Sequence, residues 1–223
     1  MRADWLCIGT KCWPISQGIA RTLCGILGAT KSLLGSRATI GKWRRYRVGL
    51  ENTPSSSAVL VPVTDEMMTR LRQNGDRDHL GTTYHFWDVG FRNALIWLEE
   101  DRPLCIQWLL TEAENPLLRK LGEWSGMYPP LPPRTGQVEG LYAFTDARRK
   151  GVATDFEFAL YERARSMGLE ELVTHVTEEN EPTHKWAKKT GWTVLGSITR
   201  LVVDLPGLRN TQLCVHCSNT SSE

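Results

Sequence analysis

The sequence lacks a long uninterrupted hydrophobic run. No stretch of its 223 residues reaches the ~18 apolar residues that a membrane-spanning helix requires. The first residues, MRADWLCIGTKCWP, are too polar for the hydrophobic region of a secretory signal peptide. These two absences lead us to expect a cytoplasmic location.

The sequence also lacks an excess of charge of either sign. It contains 27 Lys and Arg residues against 25 Asp and Glu residues, which gives a formal net charge of +2. A nearly neutral chain gives no reason to expect nucleic acid as a partner, since nucleic-acid-binding domains carry a strong basic patch. The cations are instead concentrated locally, at 42–47 and 148–150.

Cysteine is too sparse for a disulfide-rich scaffold. Five of the six cysteines lie near the ends of the chain: Cys7, Cys12, Cys24, Cys214 and Cys217. The CVHC stretch at 214–217 has zinc-knuckle spacing, and Cys7 and Cys12 would complete a four-ligand site if the termini met. Because a single C-x-x-C is a weak signal, the sequence favours reduced thiols in loosely held tails and no bound metal.

The chain divides into three parts. We predict an N-terminal extension at 1–40, a main domain at 41–206 and a flexible polar tail at 207–223. The extension contains an amphipathic helix with these apolar residues on one stripe: Ile19, Leu23, Ile26, Leu27, Leu33 and Leu34. The helix either packs on the main domain or docks on a membrane surface or a partner, and its few cations favour packing.

The main domain mixes strand and helix patterns. Residues 93–100 and 104–112 are rich in β-forming residues around a short polar link, which predicts an antiparallel hairpin. Residues 75–92 are irregular, and the prolines of 124–136 predict a loop. Other predicted strands are 44–50, 58–63, 137–144, 171–178 and segments of 192–205, and other predicted helices are 65–74, 154–167 and 181–190.

A cationic turn joins the strand at 137–144 to its helix. Arg148, Arg149 and Lys150 precede Gly151, and the small residue Ala153 follows. Helix N-termini bind phosphate because their first N–H groups are unpaired and carry partial positive charge. The turn has neither the P-loop pattern nor the three glycines of a Rossmann fingerprint. Its strand–turn–helix setting still predicts a pyrophosphate site, with a solvated turn as the alternative.

This turn and a second motif resemble the GCN5-related N-acetyltransferases (GNATs), over residues 93–205. The family's acyl-CoA loop reads Arg or Gln, two residues, Gly, one residue, then Gly or Ala, and residues 148–153 match it. The second motif is Asn followed eleven positions later by Gly and an aromatic residue, matched by Asn180, Gly191 and Trp192. The resemblance implies a mixed α/β fold, with a central, mostly antiparallel twisted sheet flanked by helices.

The resemblance implies acyl transfer from acyl-CoA, with acetyl-CoA as the simplest donor, to a primary amine on a small molecule or peptide. No metal cofactor is implied. One alternative keeps the fold and changes the donor to a longer acyl chain on CoA or on a carrier protein. Another is a CoA-binding module without catalysis. Domains of this family often form homodimers, but nothing in the sequence decides the oligomeric state or the acceptor.

The resemblance also assigns residues to the cofactor. Leu141 and Ala143 occupy the strand positions that bond the pantetheine, and backbone N–H groups of Tyr142 and Ala143 are the implied oxyanion donors. The remaining implied cofactor residues are Arg148, Arg149, Lys150, Gly151, Val152, Ala153, Thr154 and Asn180.

Glu139 is the only ionisable side chain between Gln137 and the end of its strand that suits a general base. Strict alternation would put it on one face with Leu141 and Ala143, although an exposed edge glutamate is an equal alternative. Glu112 and Glu114 are further candidates for binding the amine.

The sequence departs from the family at the general acid. Many members have a tyrosine seven residues after the motif asparagine, where this chain has Ala187. His184 lies three residues earlier on the same helix and is a candidate for that acid, with a water molecule or a plain surface histidine as the alternatives.

Overall fold

The structure, a computed structural model, describes residues 4–8, 10–73, 80–203 and 211–218. These residues form two compact units. The first unit comprises the described parts of 1–47, 118–130 and 175–223, and the second comprises those of 48–117 and 131–174. The sequence-based boundaries at residues 40 and 206 therefore stay a prediction, since each unit combines distant stretches of the chain.

The described residues contain ten strands and six α-helices. The strands are β1 (Asp4–Ile8), β2 (Lys11–Ile15), β3 (Ala38–Gly49), β4 (Leu60–Pro62), β5 (Ala94–Glu99), β6 (Arg102–Leu110), β7 (Thr135–Ala143), β8 (Glu171–Thr177), β9 (Thr193–Val203) and β10 (Thr211–Ser218). The helices are α1 (Gln17–Leu34), α2 (Asp65–Gln73), α3 (Gly81–Val89), α4 (Asn115–Leu118), α5 (Val152–Ser166) and α6 (Glu181–Lys189).

The first unit is built on an antiparallel sheet with the strand order β2-β1-β10-β9-β3. Helix α1 packs on this sheet, where Ala20 and Leu27 are buried in a cluster with Leu201 and Val215. The apolar stripe expected on one face of α1 is split, because three of its side chains are exposed, those of Ile19, Ile26 and Leu33. Packing on strands of its own unit is thus the role that the structure shows for α1.

The second unit is built on the strand order β8-β7-β6-β5-β4. Strands β7 and β8 are parallel, and the other neighbours are antiparallel. The predicted hairpin of β5 and β6 is confirmed, with a turn at Glu100 and Asp101, whose φ angles are 49° and 65°. Positive φ at both central residues is the type I′ geometry that matches the twist of paired strands. Helix α5 covers β6 and β7.

Helix α3 differs from the sequence-based prediction, because residues 81–89 form a helix in a stretch that was expected to be irregular. The helix has no side-chain N-cap and no acidic residue in its first turn, so the usual start signals are missing. Phe86 and Trp87 are buried and their rings contact the ring of Trp108. Tertiary packing therefore stabilises a helix that local propensity does not predict. Residues 74–79 of that stretch lie outside the described residues.

The structure at the end of the chain also differs from the prediction. Residues 211–218 were expected in a flexible tail, whereas they form β10, which pairs with β1 on one side and β9 on the other. The pattern TQLCVHCS is too polar to be recognised as a buried strand, and its partner β1 is distant in sequence. The rest of 204–223 lies outside the described residues.

The cysteines are also placed differently from the expectation. Cys7 and Cys12, expected as free thiols, form a disulfide between β1 and β2. Cys214 and Cys217 lie three residues apart on β10, so their side chains project from opposite faces and do not share a metal ion. Within the described ranges, no cluster of three or more His, Cys, Asp or Glu is placed to hold a metal.

The fold class expected from the sequence is confirmed. Mostly antiparallel strands combine with flanking helices in a mixed α/β architecture. None of the helices in the described residues is long and apolar enough to span a membrane.

Candidate functional site

Strand β7 contains a bulge at Gly140. On β6, Ile106 and Trp108 are two residues apart, but their partners on β7 are Tyr142 and Glu139, which are three apart. The φ of Gly140 is +64°, a left-handed value that glycine adopts at little cost. The extra residue shifts the alternation of side chains, so Glu139 shares a face with Tyr142. The expected common face with Leu141 and Ala143 is wrong.

Helix α3 packs close to the bulge. A methyl group at Gly140 would lie 3.6 Å from Oγ1 of the buried Thr83 and 3.6 Å from Cδ1 of Trp108. The sequence interpretation missed Thr83, because residues 75–92 were not assigned a helix. The glycine itself was a usable signal, since an isolated glycine inside a strand pattern indicates a bulge.

Glu139 is almost completely buried, with 7% of its surface exposed. Its Oε1 accepts a hydrogen bond of 2.7 Å from Nε2 of Gln137, which is two residues earlier on the same strand. Its cross-strand partner is the fully buried Trp108. The structure therefore does not support the alternative of a solvent-facing edge glutamate, and the role of Glu139 as a base stays a prediction.

The backbone at the end of β7 is directed by its pairing with β6. The N–H of Phe144 donates to the carbonyl of Leu104 at 3.0 Å. Because N–H groups alternate in direction along a strand, the N–H of Ala143 points away from β6, while that of Tyr142 points toward it. Of the two expected oxyanion donors, only Ala143 is aimed away from its antiparallel neighbour.

The described parallel pairing between β7 and β8 covers only the first part of β7. It runs from Thr135↔Glu171 to Gln137↔Val173. Residues 138–143 continue beside β6, and no register of these residues with β8 is found in the described part of the chain. The second half of β7 is therefore a strand edge that offers backbone groups to a ligand.

The cationic turn has the backbone geometry of an anion site. Arg149 and Gly151 both have left-handed φ angles, of 63° and 82°, on either side of Lys150. Helix α5 begins at Val152, and the N–H groups of Thr154 and Asp155 bond to the carbonyl of Gly151. The N–H groups of 149–153 find no backbone acceptor in the described residues. Successive free amides at a helix start form a concave cradle for phosphate.

Arg148 links this turn to β7. Its Nε donates a hydrogen bond of 3.0 Å to the carbonyl of Ala143. Its guanidinium carbon lies 5.2 Å from the ring centre of Tyr142, a cation–π distance. Arg148 is therefore held against the end of β7, while its remaining N–H groups stay exposed. The simple alternative of a solvated turn does not account for this side chain.

The second predicted motif lies in the first unit. Asn180 is the N-cap of α6, and its side chain accepts a hydrogen bond from the N–H of Thr183 at 3.2 Å. Ala187, at the position where a tyrosine is expected, is buried. The structure thus gives Asn180 a local structural role, and its contact with a cofactor stays a prediction.

His184 is buried and both of its ring nitrogens are engaged. The hydroxyl of Tyr46 lies 2.8 Å from Nδ1, and Nε2 lies 3.1 Å from the carbonyl of Glu178. Since a carbonyl only accepts, Nε2 is the protonated nitrogen and the Tyr46 hydroxyl donates to Nδ1. This arrangement argues against the predicted role of His184 as the general acid.

Glu114 belongs to a capping box. Its Oε2 accepts from the N–H of Thr111 at 2.7 Å and from the Thr111 hydroxyl at 2.9 Å. Of the two glutamates suggested for binding the amine, Glu112 is exposed and Glu114 is engaged locally. Glu112 is therefore the better candidate.

Residues 83–192, just under half of the chain, match the model of the acetyltransferase (GNAT) family. The chain carries a GNAT domain. The match begins inside α3, earlier than the resemblance read from the motifs, and includes the bulged strand and the cationic turn. A search of curated proteins found no sequence that matches this chain.

Solved structures show the same fold at low sequence identity. A GCN5-related glucosamine N-acetyltransferase region in a fungal multi-domain GH3 β-N-acetylglucosaminidase aligns with a TM-score of 0.56 and 12% identity, over 86% of this chain and 23% of that chain. A GNAT-family acetyltransferase from Colwellia psychrerythraea aligns with a TM-score of 0.51 and 11% identity, over 86% and 62%. This chain thus spans less than two thirds of the length of either protein.

Proposed function

We propose that the GNAT domain transfers an acyl group, with acetyl as the simplest case, from acyl-CoA to a primary amine. One observation carries the proposal: a bulged strand with a free edge leads directly into a left-handed, cationic turn at a helix start, and Arg148 bonds the two together. Both parts belong to the second unit, so one compact unit positions them together.

Each part has a task in acyl-CoA recognition. The amides of 149–153 and the charges of Arg148, Arg149 and Lys150 would hold the pyrophosphate. The free edge of β7 would pair with the amide groups of the pantetheine. The N–H of Ala143, aimed away from β6, would donate to the thioester carbonyl as negative charge develops on its oxygen.

The acceptor amine must lose a proton before it attacks the thioester. Glu139 is the candidate base, because it is a buried carboxylate on the same strand as Ala143. Gln137 would hold the carboxylate in place through the 2.7 Å hydrogen bond. Because His184 is engaged, we assign protonation of the leaving thiolate to water.

Calorimetric titration with acetyl-CoA, octanoyl-CoA and free CoA tests the cofactor site. Gly151→Asp places a negative charge in the amide cradle, and we expect it to weaken binding of all three ligands at least 100-fold. The chain offers a matched control in Gly168, at the other end of α5. Both glycines have left-handed φ angles, of 82° and 83°, and no atom within 4 Å of an added Cβ. Gly168→Asp therefore adds the same charge and strain without touching the cradle.

The outcomes separate the alternatives. Equal loss of binding in both variants would point to general destabilisation, and binding unaffected by Gly151→Asp would overturn the cradle. A preference for octanoyl-CoA would identify a longer acyl donor. No binding of any CoA species to the wild-type protein would exclude acyl-CoA and leave a carrier-protein donor as the remaining acyl source.

The engaged His184 and the buried Ala187 favour a second candidate, a CoA-binding module without catalysis. Single-turnover release of CoA in the presence of a panel of primary amines decides between the two. For an enzyme, we expect Glu139→Gln to lower turnover about 100-fold without changing the Kd of CoA. Glu51→Gln, at an exposed position outside the proposed site, serves as a control for the loss of one carboxylate. Tight CoA binding with no turnover on any amine would favour the module.

A further inference from the structure

A pair of cysteines joins helix α1 to strand β10 within the first unit. Cys24 lies on α1 and Cys217 on β10, and the two sulfur atoms are 3.2 Å apart. The residues are separated by 193 positions in the sequence, so the fold alone brings them together. Neither side chain takes part in the acyl-transfer site proposed above.

The sulfur atoms need little movement to form a bond. A disulfide has an S–S distance of about 2.05 Å, so a small rotation of the side chains closes the remaining gap of about 1 Å. Both cysteines are half-buried, which leaves the pair accessible from one side. The hydroxyl of Thr199, on the neighbouring strand β9, lies 3.6 Å from the sulfur of Cys24.

The pair lies in a pocket of about 290 Å³. Two cations, Arg21 and Lys42, and one carboxylate, Glu178, belong to its lining. A hydrogen bond from Cys217 lowers the pKa of Cys24 to about 6 against the opposing effect of burial. Thr199 and Lys42 lower this pKa further, and Asp4 raises it. The same hydrogen bond raises the pKa of Cys217. The directions of these two pKa shifts favour Cys24 as the thiolate, which accepts a hydrogen bond from the Cys217 thiol.

We propose that Cys24 and Cys217 form a redox-active dithiol that a small anionic disulfide, of the class of oxidised glutathione, converts to an intramolecular disulfide. The Cys24 thiolate attacks one sulfur of the small disulfide, forms a mixed disulfide and releases one thiolate. Cys217 then loses its proton and attacks the Cys24 sulfur, which releases the second thiolate. The protein loses two electrons and two protons, and the small disulfide becomes two thiols.

The other described cysteines do not meet the conditions for such a redox-active pair. Cys7 and Cys12 already form a disulfide, and Cys105 and Cys214 are buried. Burial raises the pKa of Cys214 to about 12, so this thiol is largely protonated at neutral pH. Only Cys24 and Cys217, among the described thiols, combine mutual contact with an open side. The lining cations favour an anionic oxidant over a neutral one.

The experiment uses the full chain, reduced and then equilibrated with oxidised and reduced glutathione at neutral pH. Remaining thiols are alkylated, and the tryptic peptides are mapped by mass spectrometry. We expect the wild-type protein to lose the Cys24 and Cys217 thiols together and to yield a crosslinked peptide. Because Cys214 and Cys217 fall on one tryptic peptide, Cys214→Ser is the matched control, and the crosslink should persist in it.

Two variants test the order of the steps. In Cys217→Ser the resolving thiol is missing, so one glutathione should accumulate on Cys24. In Cys24→Ser the crosslink should be absent, and glutathione should add to Cys217 more slowly than to Cys24 in Cys217→Ser, because burial still raises the pKa of Cys217. Separate adducts on both cysteines of the wild-type protein, or a crosslink lost in Cys214→Ser, would overturn the proposal. If a variant fails to fold, fragmentation of the crosslinked wild-type peptide, which distinguishes Cys214 from Cys217, decides the question.

Discussion

The two units of the molecule use their polar groups in opposite ways. In the second unit, the cationic turn and the end of β7 present backbone and side-chain donors that the fold leaves available, such as the amides of 149–153. In the first unit, the polar residues of α6 are engaged in internal hydrogen bonds, with Asn180 as an N-cap and His184 held between Tyr46 and Glu178. Because the amides of 149–153 find no backbone acceptor in the described residues, the second unit is favoured over the first as the place of cofactor recognition.

The cysteine residues, in contrast, are concentrated in the first unit. Five of the six cysteines belong to the first unit, where one disulfide and one close thiol pair are found. The second unit holds Cys105, which is buried and whose pKa is raised by burial and by the charge of Glu157. We therefore expect thiol oxidation to act on the first unit, and substitutions that change CoA binding to lie in the second unit.

The largest effect on stability is expected at Gly196 in the first unit. A methyl group there would collide with the main chain of Cys217 on β10. Because backbone atoms cannot rotate away, we expect Gly196→Ala to lower the free energy of unfolding by about 3 kcal/mol. Gly151→Ala in the second unit is the comparison, since an added Cβ meets no atom within 4 Å and its left-handed φ costs only about 1 kcal/mol. Urea denaturation of both variants measures the difference, and equal losses would contradict it.

The next effect concerns Arg148 in the second unit. Arg148→Ala removes a charge from the cradle together with the bond to the carbonyl of Ala143. We expect the Kd of CoA to rise by about 10- to 100-fold, the usual range for one charged hydrogen bond. Arg148→Lys should fall between the two, because lysine keeps the charge and loses the planar fork. Arg165→Ala, at the exposed end of α5, is the charge-matched control and should bind CoA normally.

Local sequence patterns predicted much of the second unit. The β5–β6 hairpin, β7, α5 and β8 follow from strand periodicity, turn residues and a C-terminal glycine, which are all local signals. The cationic turn was also predicted residue by residue, because a helix start after a strand is a local feature. Its contact with β7 was not predicted, since the Arg148 bond to Ala143 depends on how the chain returns to that strand.

Long-range pairing explains what local patterns missed. Strand β10 exists because β1 and β9 flank it, and α3 exists because its aromatic rings pack on Trp108. The bulge at Gly140 places Glu139 on the opposite face of the sheet from the one expected. An isolated glycine in a strand pattern indicates a bulge, so this change was predictable. The Cys24–Cys217 pair could not be predicted from spacing, because 193 positions separate the two residues.

The bulge itself can be tested with a smaller change. Gly140→Ala forces alanine into a left-handed φ of +64° or straightens β7. We expect a stability loss of about 1 kcal/mol and a fall in kcat/KM of about tenfold, because the Ala143 N–H would be displaced. Gly168→Ala, with a φ of +83°, should cost similar stability and leave turnover unchanged. Equal turnover in both variants would remove the bulge from the proposed mechanism.

The smallest expected effect is at Tyr46 in the first unit. Tyr46→Phe removes the hydroxyl that donates to Nδ1 of His184, a buried hydrogen bond of 2.8 Å. We expect a loss of about 1 kcal/mol of unfolding free energy, measured in urea, and turnover within about twofold of wild type, since both ring nitrogens of His184 are engaged in internal hydrogen bonds. Tyr84→Phe, which loses a bond to the carbonyl of Leu71 in the second unit, is the matched control. A changed pH profile of turnover in Tyr46→Phe, but not in Tyr84→Phe, would support His184 as the proton donor. It would also contradict the assignment of the acyl-transfer chemistry to the second unit alone.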